Sequence, residues 1–153
     1  MLEGKWTYRS FINDSALIGD AAAAALALIF GEGIFDFEAE SAGRFVGGLG
    51  MGQGYALALD GMVVARDPFA FSIVGSGIVG TPTQGWRYDY HGVSGYAWPD
   101  GVGQVPSLLG TVIRVVAHGV HAPAGVTASF IAVRQSEATA PRTLRPSMLA
   151  MGL

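Results

Sequence analysis

Residues 69–98, FAFSIVGSGIVGTPTQGWRYDYHGVSGYAW, constrain the fold more than any other stretch of this chain. Every second residue from position 86 gives Trp86, Tyr88, Tyr90, Gly92, Ser94, Tyr96 and Trp98, and the other register gives Arg87, Asp89, His91, Val93, Gly95 and Ala97. Strand side chains alternate between faces, so a period of two makes one face aromatic and starts the other with charge. The preceding run has the same period, with Phe69, Phe71 and Ile73 on one face and Ala70, Ser72, Val74 and Ser76 on the other. The stretch reads as two strands with a glycine-punctuated crossing between them.

That crossing, GSGIVG at 75–80, matches G-x-G-x-x-G after a strand. A dinucleotide site requires a helix to open there, so that the pyrophosphate meets the helix N-terminus. Here Thr81-Pro82-Thr83-Gln84-Gly85 follows and then another strand. Proline and the lack of a 3.6-residue period exclude that helix. The glycines are read as joints that let a coiled strand bend, and no cofactor is expected.

The string IVGSGIVGTPTQG at 73–85 also resembles the glycine-rich joint of the allene oxide cyclase and dirigent barrel superfamily, G-[ST]-G-[IF]-x-G in its first six positions. The resemblance covers this one strand pair and the general rhythm of strands. It implies an eight-stranded antiparallel barrel around an apolar cavity, steering cyclisation or coupling of reactive small molecules, often as a trimer. Allene oxide cyclases place an essential carboxylate on the first strand, whereas Trp6-Thr-Tyr-Arg-Ser10 has none, so no catalytic residue carries over. The opening G-x-W, Gly4-Lys5-Trp6, resembles instead the first strand of lipocalins and avidins. In those barrels the Trp plugs one end beneath a basic residue of the last strand, a partner that Arg134 supplies here.

Composition narrows the classes further. A length of 153 residues suffices for one domain with a real core. Half the residues are hydrophobic and only 14 % are charged, which excludes extensive disorder. Twenty-three glycines favour bends over helices. A net charge of −3 offers no basic face to nucleic acid or anionic lipid, and neither is expected as a partner. The absence of cysteine removes disulfides, thiol nucleophiles and cysteine zinc sites. The most apolar run, 16–30, is broken by Asp20, and its uninterrupted part, 21–30, is far shorter than the roughly 20 residues of a bilayer span. The expectation is a protein that starts near Met1, is cytoplasmic and has no membrane partner.

Taken in order, residues 4–12 form a first strand with Trp6, Tyr8 and Ser10 on one face. Asp20 is placed to cap a short helix through the alanines at 21–25. Strands are expected over 28–40, 44–50 and 55–65, the last with a turn signal at Asp60-Gly61, then the central pair, then 108–117 and 126–134. About eight strands at this spacing predict an all-β, antiparallel barrel over residues 1–135, closed so that no apolar edge is left open. The tail, 136–153, has two prolines and no period and is expected to be loosely held.

The candidate chemistry is sparse. Glu32, between Gly31 and Gly33, is a catalytic acid or base if its surroundings are apolar, and a solvated carboxylate if it shares the outward register of Asp36 and Glu38. Tyr88 is the second catalytic candidate. Tyr8, Trp86, Tyr90, Tyr96 and Trp98 are candidate ligand-binding residues, because tyrosines give a pocket apolar area and polar groups at once. The same face serves equally as packed core or as a subunit interface. With the faces reversed, Arg87, Asp89 and His91 line the interior instead, which requires full pairing. His118 and His121 form H-x-x-H in a Gly/Ala/Pro loop without further ligands nearby, so it reads as a surface loop and no metal is expected. The functional expectation is a barrel that binds an apolar small molecule and steers its isomerisation or cyclisation. The alternative is a non-catalytic, lipocalin-like carrier, and either is compatible with a homodimer or homotrimer.

Overall fold

The computed structural model describes residues 1–136 and is an all-β, closed antiparallel barrel of eight strands. The strands are β1 (Gly4–Phe11), β2 (Ile29–Ser41), β3 (Arg44–Gly50), β4 (Ala56–Val64), β5 (Ala70–Gly77), β6 (Arg87–Ser94), β7 (Ser107–Arg114) and β8 (Thr127–Arg134). Each pairs with the next, and β1 pairs with β8 from Trp6↔Arg134 to Phe11↔Ser129. All but one residue of the tail lie outside the described residues.

Eight strands enclose a space that side chains can just fill. Here the filling is aromatic: Trp6, Tyr8, Phe35, Phe37, Phe45, Phe71, Tyr88, Tyr90 and Phe130 are all buried. Tyr8 lies 4.7 Å from Phe35 and 5.6 Å from Phe130 between ring centroids, and Phe37 lies 5.0 Å from Phe45. The glycines explain how so many rings fit. Cross-strand partners share a face, and six aromatics face a glycine across the ladder: Tyr8↔Gly33, Phe37↔Gly47, Phe45↔Gly61, Tyr88↔Gly75, Phe71↔Gly92 and Phe130↔Gly110. A Cβ on Gly61 would strike the Phe45 ring and sit 2.7 Å from the Ser72 carbonyl oxygen. These strand glycines supply room for rings, while Gly80 and Gly85 (φ +81° and +85°) supply turns.

Three local expectations are corrected. Helix α1 (Ala22–Ala27) begins after Ala21, which makes no side-chain cap, so Asp20 is not its N-cap, and none of the helix residues is fully buried. No turn forms at Asp60-Gly61, because β4 runs on with Gly61 tucked beneath Phe45. The aromatic strand stops at Ser94, where residues 95–106 leave the sheet.

The meander places residues 12–28, 51–55, 78–86 and 115–126 at one end, called upper here, and the N-terminus with residues 42–43, 65–69 and 95–106 at the lower end. Trp6 closes the lower end. Its Nε1 donates to the Leu2 carbonyl at 2.8 Å, and the Arg134 guanidinium lies 4.3 Å over its ring. Arg134 also donates to the Glu3 and Met1 carbonyls at 2.6 and 2.8 Å, tying the N-terminal segment across the barrel. No helix among the described residues is long and apolar enough to cross a membrane.

Candidate functional site

The register of β6 decides between the two faces of the aromatic strand. Tyr88 and Tyr90 point inward and are buried; Arg87, Asp89 and His91 point outward. Arg87 and Asp89 pair on the exterior through two bonds of 3.0 and 3.1 Å, so the charged constellation is a surface feature.

At the upper end, Tyr88 faces Arg114 of β7 across the ladder. Arg114 is only 2 % exposed, with Nε donating to the Tyr88 hydroxyl at 2.9 Å and Nη1 to the Pro123 carbonyl at 3.2 Å. Its guanidinium carbon lies 4.9 Å from the centre of the Phe30 ring, a placement that suits a cation in an apolar wall. The loop after β7 brings His118 back over the barrel, fixed by its backbone N–H bonding to the Ala122 carbonyl at 3.0 Å. His118 Nε2 lies 2.5 Å from the Tyr88 hydroxyl, and its ring stacks on Trp86 at 3.7 Å with 14° between planes.

A guanidinium only donates, so the Tyr88 oxygen accepts from Arg114, and the Tyr88 hydroxyl shares a second hydrogen bond with His118 Nε2. Burial, reinforced by the positive charge of Arg114, lowers the His118 pKa to about 4, which keeps the ring neutral at pH 7. Burial also raises the Tyr88 pKa; the Arg114 hydrogen bond and charge offset part of that rise. The result is a hydrogen-bonded chain of Arg114, Tyr88 and His118 with the Tyr88 hydroxyl in the middle. Beneath it, burial raises Tyr8 and Tyr90 well above the ordinary phenol range, and Ser10 donates to the Gly31 carbonyl at 3.3 Å.

The candidate residues therefore divide. Tyr8, Tyr88 and Tyr90 are buried inside, with 5.9 Å between the Tyr8 and Tyr90 ring centroids, and Trp86 packs against Tyr88. Glu32 is half-buried on the outer face, in the register of Asp36 and Glu38, because Gly31 and Gly33 take the inward positions. Tyr96 and Trp98 lie past the end of β6, 69 % and 66 % exposed, packed on each other at the lower end and away from the tyrosines. His121 is exposed as expected of a surface loop, and His118 is half-buried, its ring against Trp86 and Tyr88. No cluster among the described residues is fit to hold a metal ion.

Arg114 and His118 are the members that the sequence hid. In β7 both registers are apolar, Leu108 and Val112 against Leu109 and Ile113, so the pattern does not say which way Arg114 points. His118 depends on a loop folding back, which leaves no periodic trace. Comparison of the chain with protein-family models, with curated proteins and with solved structures finds no match.

Proposed function

We propose that the chain is a small-molecule-binding barrel that works at its upper end and steers proton transfer in an apolar substrate, as in an isomerisation or a cyclisation. The observation that carries this reading is the Tyr88 hydroxyl held between the buried Arg114 guanidinium and the neutral His118 ring. A ligand that displaces the Trp86–His118 pair meets the Tyr88 proton directly, with aromatic rings as the floor of its seat. Tyr88 then gives its proton to a substrate oxygen, Arg114 steadies the phenolate, and the phenolate takes a proton from substrate carbon. The cycle closes without net gain or loss of protons, the balance that an isomerase requires.

Native mass spectrometry of the chain purified gently from its own host tests the binding half of this reading. The expected result is a co-purifying apolar molecule that the Trp86→Ala variant loses. An empty wild-type barrel, or a ligand retained unchanged by Trp86→Ala, removes the upper end as the site. With the molecule in hand, Tyr88→Phe keeps the ligand and loses its conversion by at least about a hundredfold, the usual range for a general acid–base group.

One observation favours the carrier reading: the Trp6–Arg134 closure is the plug expected of a lipocalin-like barrel, and a plug alone serves binding. Recovery of the ligand unaltered after prolonged incubation with the wild-type chain decides for the carrier.

A further inference from the structure

The turn over the Tyr88 hydroxyl has a grip on the barrel that includes one titratable ring. Residues 118–122 close on themselves, the His118 N–H bonding to the Ala122 carbonyl and the Ala122 N–H to the Gly119 carbonyl, both at 3.0 Å. Gly119 and Gly125, at φ +137° and +89°, supply backbone that glycine adopts freely. The segment holds to the barrel by the buried Ala122, by the Pro123 carbonyl on Arg114, and by the His118 ring on Tyr88 and Trp86. Of these groups, His118 is the one whose charge changes near neutral pH. The elements packed on it offer Tyr88 from β6, Arg114 from β7 and Trp86 from the 78–86 connection, with Tyr55 behind Trp86 at 5.8 Å. Arg87 and Asp89 of β6 point outward and bond to each other, and His121 on its own segment is exposed. No ion pair among the described residues joins His118 to a carboxylate. The Tyr88 oxygen is bonded to Arg114 Nε and to His118 Nε2, so a proton on His118 sets two cations about one oxygen.

We infer that this turn is a proton-operated latch: a proton taken up by His118 releases its ring from Tyr88 and Trp86 and opens the upper mouth of the barrel. The closed ring gives up water and meets the charge of Arg114, whereas the released ring is hydrated and faces no cation. Attraction to the Trp86 face opposes release, yet a protonated ring gains it only while staying beside Arg114. Burial and Arg114 together lower the closed-state pKa to about 4 against an ordinary 6.5. A group that binds its proton more weakly when closed favours the open form as pH falls, here about 25-fold between pH 7.5 and 5. Opening uncovers the Tyr88 hydroxyl and one face of Trp86, so acid admits or releases what the upper end holds. What passes the mouth rests on the proposed Tyr88 site; the opening itself does not.

Native-state hydrogen exchange of the full chain at pH 7.5 and 5, corrected for intrinsic exchange, tests the latch without a ligand. Two bonds inside a short turn do not outlast its packing, so release also frees the amides at positions 118 and 122. Their protection is expected to fall about 25-fold from pH 7.5 to 5, the linkage of one such group. At both pH values they exchange faster than the amides of β4 and β5 and do not respond to low urea. His118→Gln, and His118→Phe with its ring still on Trp86, are expected to lose the pH dependence. Equal protection at the two pH values overturns the inference, as does a pH dependence that survives in both variants. Urea dependence equal to that of β4 and β5 overturns it as well, because the turn then opens only when the whole barrel unfolds. An empty barrel by native mass spectrometry leaves this result standing, so the two readings fail separately.

Discussion

At the scale of single residues, His118 links the site to pH. Its folded pKa of about 4 lies below the ordinary 6.5, so between those values the unfolded chain holds a proton that the folded chain does not. Stability therefore falls as pH drops from about 6.5 and stops falling, for this group, near 4. His118→Gln keeps an acceptor for Tyr88 but has no proton to take up. Urea unfolding of both proteins from pH 7 to 4 is expected to show the steeper loss in the wild type; parallel curves would mean that His118 is not held neutral. Gly61 shows a different residue-scale constraint, since its Cβ-less position houses the Phe45 ring. Gly61→Ala overpacks the interior and is expected to cost about 1–3 kcal/mol of unfolding free energy. The paired variant Gly61→Ala, Phe45→Leu recovers part of that loss if the ring is the cause.

Elements were legible wherever the two faces of a strand differ. β3 falls at residues 44–50 as its pattern predicts, and β6 sorts its tyrosines from its charges by period alone. Legibility fails where the physical signal is symmetric or non-local. β7 is apolar on both faces, so the inward turn of Arg114 is settled by packing against Phe30 and Tyr88. The alternation through Tyr96 and Trp98 continues after the strand has ended, because period says nothing about where pairing stops. Thr83 shows how the glycine-rich joint is set: wholly buried, its hydroxyl donates to the Ala56 carbonyl at 2.8 Å and accepts from the Ile78 N–H at 3.1 Å. Thr83→Val removes these two bonds, and a third to the Thr81 hydroxyl at 3.0 Å, at nearly constant volume. It is expected to cost about 1–3 kcal/mol, the penalty for stranding buried polar groups, with Thr83→Ser close to wild type in the same denaturation assay.

At the scale of the whole molecule, closure turns a row of marginal hairpins into one cooperative unit with no open edge. The seam between β1 and β8 joins the two ends of the barrel sequence, so it is the pairing with the largest loop-closure cost and the last that local structure can specify. The Trp6–Arg134 stack sits on that seam, together with the Arg134 bonds to the Glu3 and Met1 carbonyls. Lysine at position 134 keeps the charge but loses the planar fork and the stacking face. Arg134→Lys is therefore expected to loosen the seam selectively. Hydrogen exchange under native conditions reads this directly: amides of β1 and β8 are expected to exchange at least tenfold faster, with β4 and β5 on the opposite wall unchanged. Equal acceleration in all strands would show instead that the seam opens only when the whole barrel unfolds, and that the plug adds to global stability without any separate hold on closure.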